Sequence, residues 1–377
     1  MALITGAVVA GVAVVALVLW AVLGGLGRGT PTATATTVAP SLNLPGHLVV
    51  FDSSSGRLAT AAPDGSRFRL LPGPAYPANY ATVSPDGQHA VVGGVQVVDI
   101  GVAGRERPLL DATGDSTAVP QPWADGGKRL VLMGTGASSM LGGIETVDLD
   151  GGSAHKLGGD AGGVAGDPSR DGAVVAVQGG TEVNLGPYTE RDTSRVELRW
   201  WKDQHQVLAT TADLVRATEL PKGKPYAVWP LVAPDGQHIV LTVDGLVPNT
   251  SAASARHALV IIDRSGTIAA TRTSYTSIEP VWTHDSRQVA YLDDGGVTLL
   301  QLTGSQVKAR TITAQVLGTS CLFSPAGDHL LCDDVQTGDR SIIRLSDDHV
   351  DQAHHDPKRV AVAWLSGTAV TPTGSGT

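Results

Sequence analysis

Charge is scarce in this chain, and it gathers nowhere. Only 17% of the 377 residues are charged, the formal net charge is −9, and the 27 basic residues are scattered. A nucleic-acid partner needs a basic face to neutralise phosphates, so that class is excluded. Aromatic residues are also few, at 4%, while Gly (46) and Pro (22) are frequent, a mixture that suits short strands and tight turns rather than long charged helices. The only cysteines are Cys321 and Cys332, and without nearby partner ligands they cannot close a zinc site. No G-x-S-x-G elbow is present, since Gly318-Thr319-Ser320-Cys321 lacks the closing glycine. The twelve-residue calcium loop ending in Glu is absent too. Acidic stretches such as Asp148-Leu149-Asp150-Gly151 and Asp293-Asp294-Gly295 therefore read as hairpin turns. No residue is assigned to catalysis, to a cofactor or to a metal.

What the chain does have begins at its N-terminus. Ala2 to Leu26 carries no charge, and Thr5 is its only polar side chain. A bilayer-crossing helix needs about 20 apolar residues, whereas the apolar core of a cleavable signal peptide has about 7–15. Residues 1–28 are thus expected to form one transmembrane helix, an uncleaved anchor or signal-anchor, with Trp20 near the interface. Residues 29–46, GTPTATATTVAPSLNLPG, form an uncharged Thr/Pro/Ala-rich linker that cannot bury a core and behaves as a semi-extended spacer. Arg28 after the span argues for the opposite orientation, but such a spacer suits a domain held off the outer membrane surface. The expected localisation is the cell membrane, single-pass, with the rest of the chain extracytoplasmic.

The two cysteines flank a turn in SCLFSPAGDHLLCDD. A two-residue turn at Ala326-Gly327 would place 323 opposite 330 and Cys321 opposite Cys332, on one face of a hairpin. A bulged turn would shift that register. Two readings stay open, a disulfide in an oxidising compartment and a pair of buried thiols on core strands.

One phrase recurs along the chain. It reads VSPDGQHAVV (83–92), WADGGKRLVL (123–132), PSRDGAVVAV (168–177), VAPDGQHIVL (232–241), WTHDSRQVAY (282–291) and FSPAGDHLLC (323–332), with a degraded copy at 364–372. Successive starts lie 40, 45, 64, 50, 41 and 41 residues apart, the blade-sized period of a β-propeller. In each phrase an apolar residue leads into a turn. Pro presets φ, Asp bonds its own backbone and Gly accepts positive φ before an apolar strand follows. Second hairpins between phrases, such as 144–157 and 257–273, complete four strands per blade.

These phrases resemble the TolB-like (WD-repeat-like) propeller repeat over nearly all of residues 47–370, and the Arg-over-Lys, Ala- and Gly-rich usage resembles actinobacterial coding. The resemblance implies an all-β propeller of four-stranded blades. It implies no activity, because the smaller α/β domain of TolB itself has no counterpart here. Strands at 47–71 lack an opening phrase, and 358–370 is an opening phrase without following strands. Joined, they make a composite blade that closes the ring and gives seven blades, with six or eight as alternatives. Residues 371–377 are read as a flexible tail.

His89, His238 and His329 occupy one repeat position, spread around a ring, and are read as exposed turn residues. His354-His355-Asp356 is read as a surface loop, since neither helix nor strand points adjacent histidines the same way. Trp200 and Trp201 alone fall outside the repeat, in its longest interval, and are the candidate partner-binding residues. Their alternative role is packing between blades. The expected function is a non-catalytic binding or scaffold module for a protein or cell-envelope component. The alternative is a propeller enzyme of hydrolase or lyase type with its site at the channel mouth.

Overall fold

The computed structural model describes residues 44–367 except for 77–79, 94–95, 101–105, 109–115, 135–141, 150–153, 170–172, 186–187, 201–203, 219–224, 246–255, 275–278, 294–295, 305, 314–315 and 317–319. The expected anchor, Trp201 and the tail lie outside the described residues. No helix among those described is long and apolar enough to cross a membrane.

The repeated turn sets the local geometry. In Ser84-Pro85-Asp86-Gly87, Gly87 sits at φ +71° and its amide donates to Ser84 O, while Ser84 N donates to His89 O across the hairpin. A side chain at that φ would be strained, which is why Gly recurs there. The Asp86 carboxylate accepts from Ser84 Oγ and from Gln88 N, locking the turn from inside.

Each turn joins the first two strands of an antiparallel blade. In chain order the second blade is β4 to β7, after the opening strands β1 (His47–Asp52), β2 (Arg57–Ala61) and β3 (Arg69–Leu70). Its strands are β4 (Ala81–Val83), β5 (His89–Val92), β6 (Gln96–Asp99) and β7 (Glu106–Pro108). The third comprises β8 (Ser116–Ala124), β9 (Arg129–Gly134), β10 (Gly142–Asp148) and the first half of β11 (His155–Gly166). The second half of β11 pairs with β12 (Ala173–Leu185), followed by β13 (Tyr188–Trp200) and β14 (His205–Thr210). Two blades are thus fused through one long strand into a seven-stranded sheet. The fifth blade holds β15 (Pro225–Val232), β16 (His238–Gly245), β17 (Arg256–Asp263) and β18 (Ile268–Ser274). The sixth holds β19 (Val281–Trp282), β20 (Gln288–Asp293), β21 (Gly296–Thr303) and β22 (Gln306–Ile312). The seventh holds β23 (Ser320–Phe323), β24 (His329–Asp333), β25 (Asp339–Arg344) and β26 (His349–His354).

The last strand, β27 (Arg359–Leu365), leaves the C-terminal end and pairs with β1, from His47 opposite Leu365 to Asp52 opposite Arg359, with one register shift after Val49. The first blade is therefore the composite β27-β1-β2-β3, and the seven-bladed, four-stranded propeller read from the repeat is the fold. Closure buries every residue of β1. Side chains alternate between the two faces of a strand. Accordingly Val49 and Phe51 pack against Ala90 and Val92 of the second blade, and Leu48 and Val50 against Leu331 and Ile342 of the seventh. Trp364 is buried at the seam, and its indole N–H donates to Pro45 O at 3.0 Å.

The longest interval is accounted for by the 13-residue strands β12 and β13 and by one short helix, α1 (Thr211–Ala217). Thr210 and Asp213 close a reciprocal capping box at its start, and Leu214 inserts into the core between the fourth and fifth blades.

Candidate functional site

The first strands of successive blades touch one another around the ring, β27 with β4, β8 with β11, β11 with β15, and β23 with both β19 and β27. They form the wall of the central channel. On β15 the exposure alternates. Val228, Pro230 and Val232 are buried in the blade, whereas Trp229 is 46% exposed. Tyr80, whose carbonyl extends the β4–β5 ladder by accepting from Gly93 N, is 40% exposed. With Val207 they are the exposed large hydrophobic residues among those described.

Tyr80 and Trp229 occupy the same repeat position. Each precedes by four residues the turn residue whose amide closes the hairpin, Ser84 N to His89 O and Ala233 N to His238 O. In the sixth blade the corresponding turn residue is Thr283, bonded to Gln288 O, and four residues before it stands Glu279. Glu279 reaches solvent, yet desolvation by the surrounding protein raises its carboxyl pKa above the ordinary range. Contact with water inside a protein surround is what a channel wall imposes. Two aromatic rings and one carboxylate of raised pKa therefore occupy equivalent positions before the turns of three blades. A repeat alignment carried back four residues from each turn would have singled them out.

Trp200 behaves differently. Its ring is half-buried against the core between the fourth and fifth blades, with the Arg264 guanidinium 6.0 Å from the ring centroid. This is the inter-blade packing position rather than a displayed one. Trp123, Trp282 and Trp364, at the apolar position of the phrase, are buried.

The repeat histidines differ from the reading that they face water. His89 is half-buried and its Nδ1 lies 2.8 Å from Asp99 Oδ1 on the neighbouring strand β6. His329 is likewise half-buried beside Asp328, at 3.0 Å, and His238 lies 6.4 Å from the Trp282 ring, tilted against it. Strand pairing just after the turn tucks each ring against its neighbours. Among the described residues no group of three or more His, Cys, Asp or Glu is placed to hold a metal.

His355 departs further from its sequence reading. His354 ends β26 and is exposed, but the chain turns there and directs His355 inward, where it is buried. It faces Asp333, with Nε2 3.7 Å from Oδ2, and burial pushes its pKa below the ordinary imidazole value despite that carboxylate. Asp333 is held in turn by Arg340. His355 and Arg340, together with Arg359 and Phe68, line a cleft between the seventh and first blades.

The cysteine hairpin has Cys321 opposite Cys332 with the sulfurs bonded. Its turn is longer than the two residues expected. Ser324 N bonds His329 O, so 325–328 form a four-residue loop, and the register is unchanged.

No protein-family model matches the chain, and no curated protein matches it. Solved structures do. A functionally unknown protein from Desulfotomaculum acetoxidans is 13% identical, with 82% of this chain and 100% of that chain covered at a TM-score of 0.50. The periplasmic gluconolactonase of Pseudomonas aeruginosa is 14% identical, covering 85% and 98%, at 0.47. An oligogalacturonate lyase in complex with manganese is 14% identical, covering 82% and 72%, at 0.42. At such identities the likeness concerns fold alone.

Proposed function

We propose that this chain is a TolB-like propeller, tethered by one membrane span and displayed outside the cytoplasm, that binds a protein or cell-envelope component without catalysing a reaction. The observation that carries the reading is the exposure of Trp229 and Tyr80 at one repeat position of the channel wall. Large rings that reach water in a concave site are the usual anchors of a binding surface. Their neighbour in register, Glu279, adds a carboxylate of raised pKa that is suited to donating or accepting a hydrogen bond. Some acidic and imidazole groups of the repeat are occupied by structure. Asp86 and Asp235 accept from amides of their own turns, and His89 is engaged with Asp99. The uncharged span at 2–26 and the spacer at 29–46 supply the tether.

Two measurements test this. Protease added to intact cells is expected to degrade the propeller, and a protected propeller contradicts the topology. Crosslinked capture from detergent-solubilised membranes is expected to weaken in Trp229→Ala and Tyr80→Ala, since a central anchor contributes about 2 kcal/mol or more. Capture unchanged in both variants contradicts the site.

A further inference from the structure

The cleft between the seventh and first blades is a built cavity that the reading above leaves unused. Its volume is about 210 Å³, and Phe68, Arg340, His354, His355, Asp356 and Arg359 line it, with Val50 and Ala61 as an apolar floor. A water's share of liquid volume is about 30 Å³, so the space suits a small molecule rather than a chain segment.

Its polar groups are unevenly satisfied. Arg340 uses three of its five N–H groups, two on Asp333 and one on Pro63 O at 3.1 Å. Asp333 is neutralised by that pair and also accepts from Ala361 N at 3.4 Å. His355 has a side chain only 5% exposed, yet neither ring nitrogen has a hydrogen-bond partner. Burying such a group unpaired costs about 1–3 kcal/mol. Arg359 Nε is also buried without a hydrogen bond, its nearest carboxylate oxygen being Asp356 Oδ2 at 3.8 Å. The Arg359 guanidinium lies 3.8 Å from the Phe68 ring centroid. Stacking fixes the plane of the guanidinium and leaves its N–H edge available to a planar carboxylate.

We propose that this cleft binds a small hydroxycarboxylate, its carboxylate on Arg359, its hydroxyl on His355 and its carbon body on Val50 and Ala61. A neutral imidazole offers one donor and one acceptor, the complement of a hydroxyl group. A monoanion is favoured over phosphate because Asp356 stays close to Arg359, and a second negative charge would meet it. Because the two walls belong to the first and last blades, the bound molecule also bridges the seam of the ring.

The test is thermal unfolding of the full chain in detergent at pH 7.5, with sodium lactate, sodium propionate or inorganic phosphate titrated at constant ionic strength. A ligand of the folded state raises the melting temperature saturably. Lactate is expected to do so at concentrations about 3- to 10-fold lower than propionate, the worth of one neutral hydrogen bond. Phosphate is expected to produce no saturable rise. Arg359→Gln is expected to abolish the lactate response, and so is Ala61→Leu, which fills the cavity from its floor. Arg310→Gln, an exposed arginine of the sixth blade that pairs with Asp348 and is not part of the cleft lining, is expected to keep it. No saturable lactate response, an equal response to propionate or phosphate, or a response surviving both cleft variants overturns the proposal.

Discussion

Arg340 grips Asp333 through two hydrogen bonds, Nε to Oδ1 at 2.6 Å and Nη2 to Oδ2 at 2.8 Å, with each residue 1% exposed. The third bond of the guanidinium, to Pro63 O, crosses from the seventh blade to the first. The pair is thus a polar latch on the seam that β27 and Trp364 close by packing.

Breaking that latch from one side leaves an uncompensated buried charge. Arg340→Met is expected to destabilise the propeller by about 3–5 kcal/mol, and Arg340→Met with Asp333→Leu to recover most of that. Denaturant unfolding of the three proteins checks this. A double variant as unstable as the single one contradicts it.

His355 provides a pH signature. Its pKa in the fold is lowered, burial being the largest cause, against opposition from Asp333 and with Arg340 and His354 adding to the lowering. As pH falls through the ordinary imidazole value of about 6.5, the unfolded chain takes up a proton that the folded chain refuses. Stability is therefore full above that value and declines below it until the folded pKa is reached. The carboxylates of lowered pKa, such as Asp52, Asp263 and Asp328, act in a separate, more acidic window. Melting temperature between pH 5 and 7 is expected to fall with acidity in the natural chain and to flatten in His355→Gln. Equal slopes contradict the assignment.

Trp364 anchors the composite blade. Trp364→Ala is expected to cost about 3–5 kcal/mol by leaving a cavity beside Leu48 and by removing the donor to Pro45 O. Trp364→Phe is expected to cost distinctly less. Near-equal losses would place the stabilisation in the hydrogen bond rather than in the packing.

The Cys321–Cys332 bond closes a short loop, the two positions being 11 residues apart. Loop-closure entropy assigns such a link about 2–3 kcal/mol. Unfolded chain is expected to resist thiol alkylation until reduced. Reductant is expected to lower the melting temperature of the natural chain but not of Cys321→Ala/Cys332→Ala. Alkylation of both thiols without reductant contradicts the bond.

The parts of this molecule legible from sequence are those specified locally. The phrase around Ser84-Pro85-Asp86-Gly87 announces its own turn through residue chemistry, and its spacing announces the blade. The closing blade follows from two half-blades at 47–71 and 358–370, and β27 pairs with β1 as that reading requires. Even the opposition of Cys321 and Cys332 is legible, because a four-residue loop preserves the register of a two-residue one. What depends on the neighbouring blade is not. His355 is buried because the chain after β26 turns toward Asp333 and toward the first blade at Gly65 and Phe68, and adjacency to His354 carries no trace of that. Trp229 reaches water while Val228 is buried, although both sit on one strand beside apolar neighbours. The extra residues of the 168–232 interval read as irregularity, whereas they lengthen β12 and β13 and build α1.

Partners are proposed to engage the propeller through Trp229 and Tyr80. Site-specific photocrosslinking in intact cells tests this most directly, with a photoreactive phenylalanine placed in turn at 229, 80 and 207. Val207 serves as the control, since it is 41% exposed but lies on β14, the outermost strand of its blade. Discrete adducts of the same mass are expected from positions 229 and 80 and none from 207. No discrete adduct from 229 and 80, or the same adduct from 207, would contradict it.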